Sequence, residues 1–82
     1  ALLTGKYVLE DGTEADVSLR GNRTLWLSLP EQPDYELVPY REMTFLIKNL
    51  QGFSVRFEAG DSGQVKGLRF IQPNGEFPAV RK

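Results

Sequence analysis

The residue types that usually do chemistry near neutral pH are thinly represented in this sequence. It contains no histidine and no cysteine, which removes the common general base, triads of the Ser-His-Asp kind, disulfides and thiolate metal sites together. A serine nucleophile of the acyltransferase kind needs a lysine three residues on. Ser18, Ser28, Ser54 and Ser62 are followed at that spacing by Gly21, Glu31, Phe57 and Val65, so the serine acyltransferase motif is absent.

Carboxylates do cluster, with Glu10, Asp11, Glu14 and Asp16 in one group and Glu31, Asp34 and Glu36 in another. A glycosidase-like pair or a calcium site needs such groups to converge in a cleft. Here they flank turns and alternate with apolar residues, the pattern of a solvated strand face. Asn22-Arg23-Thr24 fits a glycosylation sequon, a short pattern that arises easily by chance and is usable only in a secreted eukaryotic protein. No catalytic residue, metal ligand or cofactor site is assigned from the sequence.

The elements that would position any site are written in punctuation and period. Asp11-Gly12, Gly21-Asn22, Asp61-Ser62-Gly63 and Asn74-Gly75 accept positive φ and close tight hairpins, Pro30 and Pro33 bracket another turn, and Asn49 to Gly52 make a sixth. Between them apolar residues alternate with polar ones, the period of a half-buried strand. The inward sets are Tyr7 and Leu9; Ala15, Val17 and Leu19; Leu25, Leu27 and Leu29; Tyr35 and Leu37; Met43, Phe45 and Ile47; Phe53, Val55 and Phe57. No helix longer than a turn is predicted, so no phosphate-binding loop can precede one.

The seventh strand breaks phase, Val65 against Leu68 and Phe70, and a β-bulge at Gly67 would return all three to the core. The last strand carries Phe77 and Ala79 inward and Val80 outward, and Pro78, which lacks an N–H, places it at an edge or a barrel seam. About eight short strands joined by tight turns predict an all-β fold: a small antiparallel up-and-down barrel or a strongly curled meander. Closing it would remove exposed edges, and the large inward side chains would fill its interior.

The same parity sends Trp26 outward, together with Val38, Tyr40 and Leu46. Three neighbouring strands would then share an apolar outer stripe, a candidate interface built on side chains enriched in hot spots.

At 82 residues the chain is sized for one core and one domain, residues 1–82. Hydrophobic residues at 40% and charged residues at 26% are ordinary globular composition, which predicts folding. A net charge of −1 gives no field that would gather nucleic acid or an anionic membrane surface. No apolar run approaches the roughly 18 to 20 residues of a spanning helix, and no membrane insertion is expected. The start at Ala1, without methionine or a charged leader, reads as a piece of a longer polypeptide.

Leu3-Thr4-Gly5-Lys6-Tyr7, then Gln32-Pro33-Asp34-Tyr35-Glu36-Leu37-Val38-Pro39 and Phe45, resemble a β-rich accessory domain of uncharacterised function. So do Val55-Arg56-Phe57, Gly63-Gln64-Val65-Lys66-Gly67-Leu68 and Ala79-Val80-Arg81-Lys82. That domain follows the catalytic domain of bacterial serine hydrolases similar to beta-lactamases and penicillin-binding proteins. The resemblance implies a lipocalin-like barrel, an upstream catalytic domain of the same polypeptide as partner, and a periplasmic or secreted setting. It carries over no catalytic residue. The expected function is a non-catalytic accessory domain. The alternatives are a module binding a small ligand, glycan or peptidoglycan fragment through Tyr7, Trp26, Tyr35 and Tyr40, and a free-standing interaction or inhibitor protein.

Overall fold

Alternating side chains separated by turn residues resolve, in the computed structural model, into eight antiparallel strands that close on themselves. The structure describes residues 3–21 and 23–82; Asn22, and with it the sequon and one turn residue, lies outside them. The strands are β1 (Gly5–Leu9), β2 (Glu14–Arg20), β3 (Thr24–Ser28), β4 (Tyr35–Arg41), β5 (Thr44–Ile47), β6 (Ser54–Ala59), β7 (Val65–Gln72) and β8 (Gly75–Arg81). Each pairs with the next in sequence, and β8 pairs back to β1, so the fold is an up-and-down barrel.

Closure is made at Tyr7↔Arg81, Val8↔Val80 and Leu9↔Ala79. Pro78 falls beyond the last of these rungs, where its missing N–H leaves nothing unpaired toward β1. This is the seam that Pro78 marks in the sequence.

The inward sets meet in one core. Tyr7, Leu27, Leu37, Val55, Phe57 and Leu68 are sealed from solvent within it. Tyr7 stands edge-on to Phe57 at 5.9 Å, and Phe57 edge-on to Phe45 at 5.6 Å, an arrangement favoured by the ring quadrupoles and worth about 0.5–1.5 kcal/mol per pair beyond burial. The buried phenol is not orphaned, because Tyr7 Oη donates to the Leu3 carbonyl at 2.7 Å. Burial pushes its pKa up, partly opposed by the nearby Arg81 guanidinium.

Arg81 is the polar member of this interior. It lies opposite Tyr7 on the same face, 5.9 Å from the ring centroid, and donates to the carbonyls of Thr4 at 2.7 Å and Val65 at 3.2 Å. One guanidinium thereby ties the segment before β1, the start of β7 and the end of β8.

The bulge of β7 is present. Ala59 pairs with Val65 and Glu58 with Gly67, so Lys66 is the extra residue, and Val65, Leu68 and Phe70 all reach the core. Gly67 is required there for space: a Cβ would lie 2.6 Å from the Ala79 carbonyl oxygen.

Three expectations need correction. Met43 is not a strand residue; it forms the β4–β5 turn with φ 59° and only packs against the core edge. No Gly, Asn or Pro marks that turn. Leu19 keeps the inward phase but is 47% exposed, because β2 ends at the barrel rim. Phe77, at the opposite rim, is likewise 38% exposed.

Candidate functional site

The outer surface of β3, β4 and β5 is fixed by register. Trp26 stands opposite Glu36, and Val38 opposite Leu46, while Tyr40 is the unpaired residue of a register shift between Pro39 and Arg41. Register therefore places Trp26, Val38 and Leu46 outside, as the alternation predicts, and Tyr40 is outside by its own exposure. It does not make them one stripe. Glu36 separates Trp26 from Val38, and the apolar surface divides at that row.

On the Trp26 side the ring has its own cover. The Arg20 guanidinium lies 5.2 Å from its centroid and continues to Asp34, 2.7 Å away. Asp34 also accepts from Ser28 Oγ at 2.8 Å. These hydrogen bonds, the one from Arg20 first, hold the Asp34 carboxyl below its ordinary pKa. Trp26 is half-buried as a result. Beside it a hollow of about 440 Å³ is lined by Trp26, Tyr35, Glu36, Lys48 and Asn49.

On the other side Leu46 is 41% exposed and Tyr40 55%. Tyr40 is held by its neighbour, since Arg41 stacks on the ring at 4.5 Å and donates to its hydroxyl at 2.7 Å. Val38 and Leu46 form the wall of a second hollow, about 490 Å³, roofed by the Lys48–Gly52 turn with Leu50 and Phe53. Asn49, at φ 71°, supplies the left-handed residue of that turn. The ion pair Lys48–Glu36, 3.5 Å, stands between the two hollows.

This face offers an apolar centre bounded by charged groups already engaged with one another, the composition of a contact surface. The carboxylate groups singled out in the sequence are dispersed in the same way: Glu14 meets Lys82 at 2.8 Å, Asp16 meets Lys6 at 3.6 Å, and Asp11 caps its own turn by accepting from the Thr13 amide at 2.9 Å. The Lys82 contact lowers the Glu14 pKa and the Thr13 hydrogen bonds lower that of Asp11.

Of the remaining aromatics, Tyr7 is sealed inside the barrel, while Tyr35 is half-buried and donates to Gln32 Oε1 at 3.2 Å. A further opening lies at the rim between β3 and β4, which the alternation of residues does not foretell. Its one signal was Leu19, an inward residue immediately before a turn and hence at the end of its strand. No protein-family model, curated protein or solved structure matches the chain.

Proposed function

We propose that this barrel is a non-catalytic accessory domain that packs against the catalytic domain of a serine beta-lactamase-like hydrolase within one polypeptide. The docking face is the outer surface of β4 and β5. The observation that carries this reading is the cross-strand pair of half-buried Val38 and exposed Leu46 beside the exposed Tyr40. Apolar side chains placed together on the outside of a barrel gain free energy only when something covers them, and Tyr is among the residues that most often dominate such contacts. The hydrolase as partner rests on the sequence resemblance, as does a periplasmic or extracellular setting.

Oxidative footprinting of the native gene product against the 82-residue chain tests it. Tyr40 and Leu46 are expected to be labelled freely in the short chain and protected in the longer polypeptide, with Leu46→Glu restoring labelling of Tyr40. A native reading frame without a hydrolase domain, or equal labelling in the two forms, overturns the proposal.

A further inference from the structure

Strands β3 and β4 stay together for only three rungs, ending at Leu25↔Leu37. Beyond that point β4 runs on to Arg41 paired with β5 alone, and β3 gives way to its turn. The two strands part, and a cleft of about 340 Å³ opens from the rim onto the core, lined by Leu3, Leu19, Leu25, Leu37 and Phe45. Leu25 and Leu37 are its buried floor. Leu19 shares the inward phase of the sealed Ala15 and Val17 and yet stands half open, a core side chain whose cover is missing.

Arg23 stands at the edge of this cleft. Among the described residues its side chain makes no ion pair and no hydrogen bond. It holds φ 65° at the end of the β2–β3 turn, a conformation that Gly or Asn adopts more easily. Glu36, the acidic residue of the lining, has its carboxylate held by Lys48.

An added β-strand is a poor occupant. Glu36 gives its carbonyl to the Lys48 amide on the β5 side, so by alternation Leu37 turns its polar backbone to its partner Leu25 in β3, and the next residue whose backbone faces the cleft is Pro39. Pro39 has no N–H to offer, and strand addition depends on main-chain hydrogen bonds.

We infer that the cleft binds a small amphiphilic carboxylate, its acyl chain or aryl ring against Leu19, Leu25, Leu37 and Phe45 and its anionic head on Arg23. Its volume lies near the lower end of the roughly 300–1,000 Å³ of ligand pockets, which suits one chain or ring and not a two-tailed lipid. The cleft borders the β4–β5 outer face at Glu36 and Val38, but its floor is Leu25 and Leu37, so the site stands or falls independently of Leu46.

The test is a titration of the ¹⁵N-labelled 82-residue chain with sodium octanoate below its micelle concentration, with octanol and acetate as probes of tail and head alone. Saturable shifts centred on the amides of Leu19, Arg23, Leu25, Leu37 and Phe45 are expected, with octanol and acetate each weaker by about tenfold or more. Arg23→Gln should bring octanoate down to the affinity of octanol, and Leu46→Glu should change nothing. Leu19→Asn supplies a second variant, expected to weaken octanoate and octanol alike, and a dispersed spectrum shows that each variant is folded. Octanoate affinity unchanged in Arg23→Gln, shifts centred on Leu46 and Leu50, or no saturable shifts would overturn the inference.

Discussion

Tyr7 shows how much one residue can be asked to do when the core is small. Its ring meets Phe57, its hydroxyl satisfies the Leu3 carbonyl, and its other neighbour is the Arg81 cation. Burial raises its pKa above the ordinary value near 10. The folded state therefore holds the phenolic proton more tightly than the unfolded chain does. Its contribution is complete below about pH 10 and is lost as pH rises through the higher folded value. Urea midpoints measured at a series of alkaline pH values should fall steeply above about pH 10. In Tyr7→Phe, which keeps the ring, that decline should be shallower. Equal slopes in the two proteins would mean that other groups govern alkaline unfolding. The acid side has the opposite sign: Glu14 and Asp34, with lowered pKa values, favour the folded state above the usual carboxylate range and lose that advantage as pH falls.

Among the elements, β7 carries the sharpest local requirement. Its extra residue, Lys66, moves Leu68 and Phe70 onto the face that Val65 already occupies, and Gly67 lets β8 approach at the point where the phase changes. A methyl group there meets backbone oxygen, which cannot rotate away, so β8 or the bulge must shift. Gly67→Ala should cost about 1–3 kcal/mol in chemical denaturation, the usual penalty of overpacking. A change below about 0.5 kcal/mol, the range of neutral surface substitutions, would mean that the strands accommodate the methyl. This bulge was legible in the sequence because a single residue reversed an otherwise regular alternation. The β4–β5 turn was not, because Met43 takes a left-handed conformation without any of the residue types that announce one. The candidate face was legible in the same partial way. Parity tells that Trp26, Val38 and Leu46 point outward; it does not tell that Glu36 stands beside Trp26. Nor does it tell that Arg20 reaches Asp34 across 14 residues to cover the indole. Those neighbours depend on register, and the rim cleft depends on where β3 and β4 cease to pair, neither of which a strand's own periodicity contains.

For the whole molecule the decisive step is closure, since a barrel with one open seam is a curled sheet with two edges. β1 and β8 meet over three rungs, flanked by the Lys82 amide donating to the Lys6 carbonyl at 2.8 Å. Arg81 adds what the short ladder lacks. Its two forked contacts hold Thr4 on one side of the seam and Val65 on the far side of β8, while its stem and guanidinium cover Gly5 and the Tyr7 ring. Removing it leaves two carbonyls without that donor and uncovers the rim above Tyr7, which should cost about 1–3 kcal/mol in the denaturation midpoint. The loss should be uneven in space. Amides of β1 and β8 are expected to exchange faster relative to those of β3 and β6, because the seam opens before the rest unfolds. Arg81→Lys retains the charge but not the fork and should recover only part of the protection. If Arg81→Ala instead accelerates exchange equally in all eight strands, the barrel opens as one cooperative unit and the seam has no separate stability for Arg81 to supply.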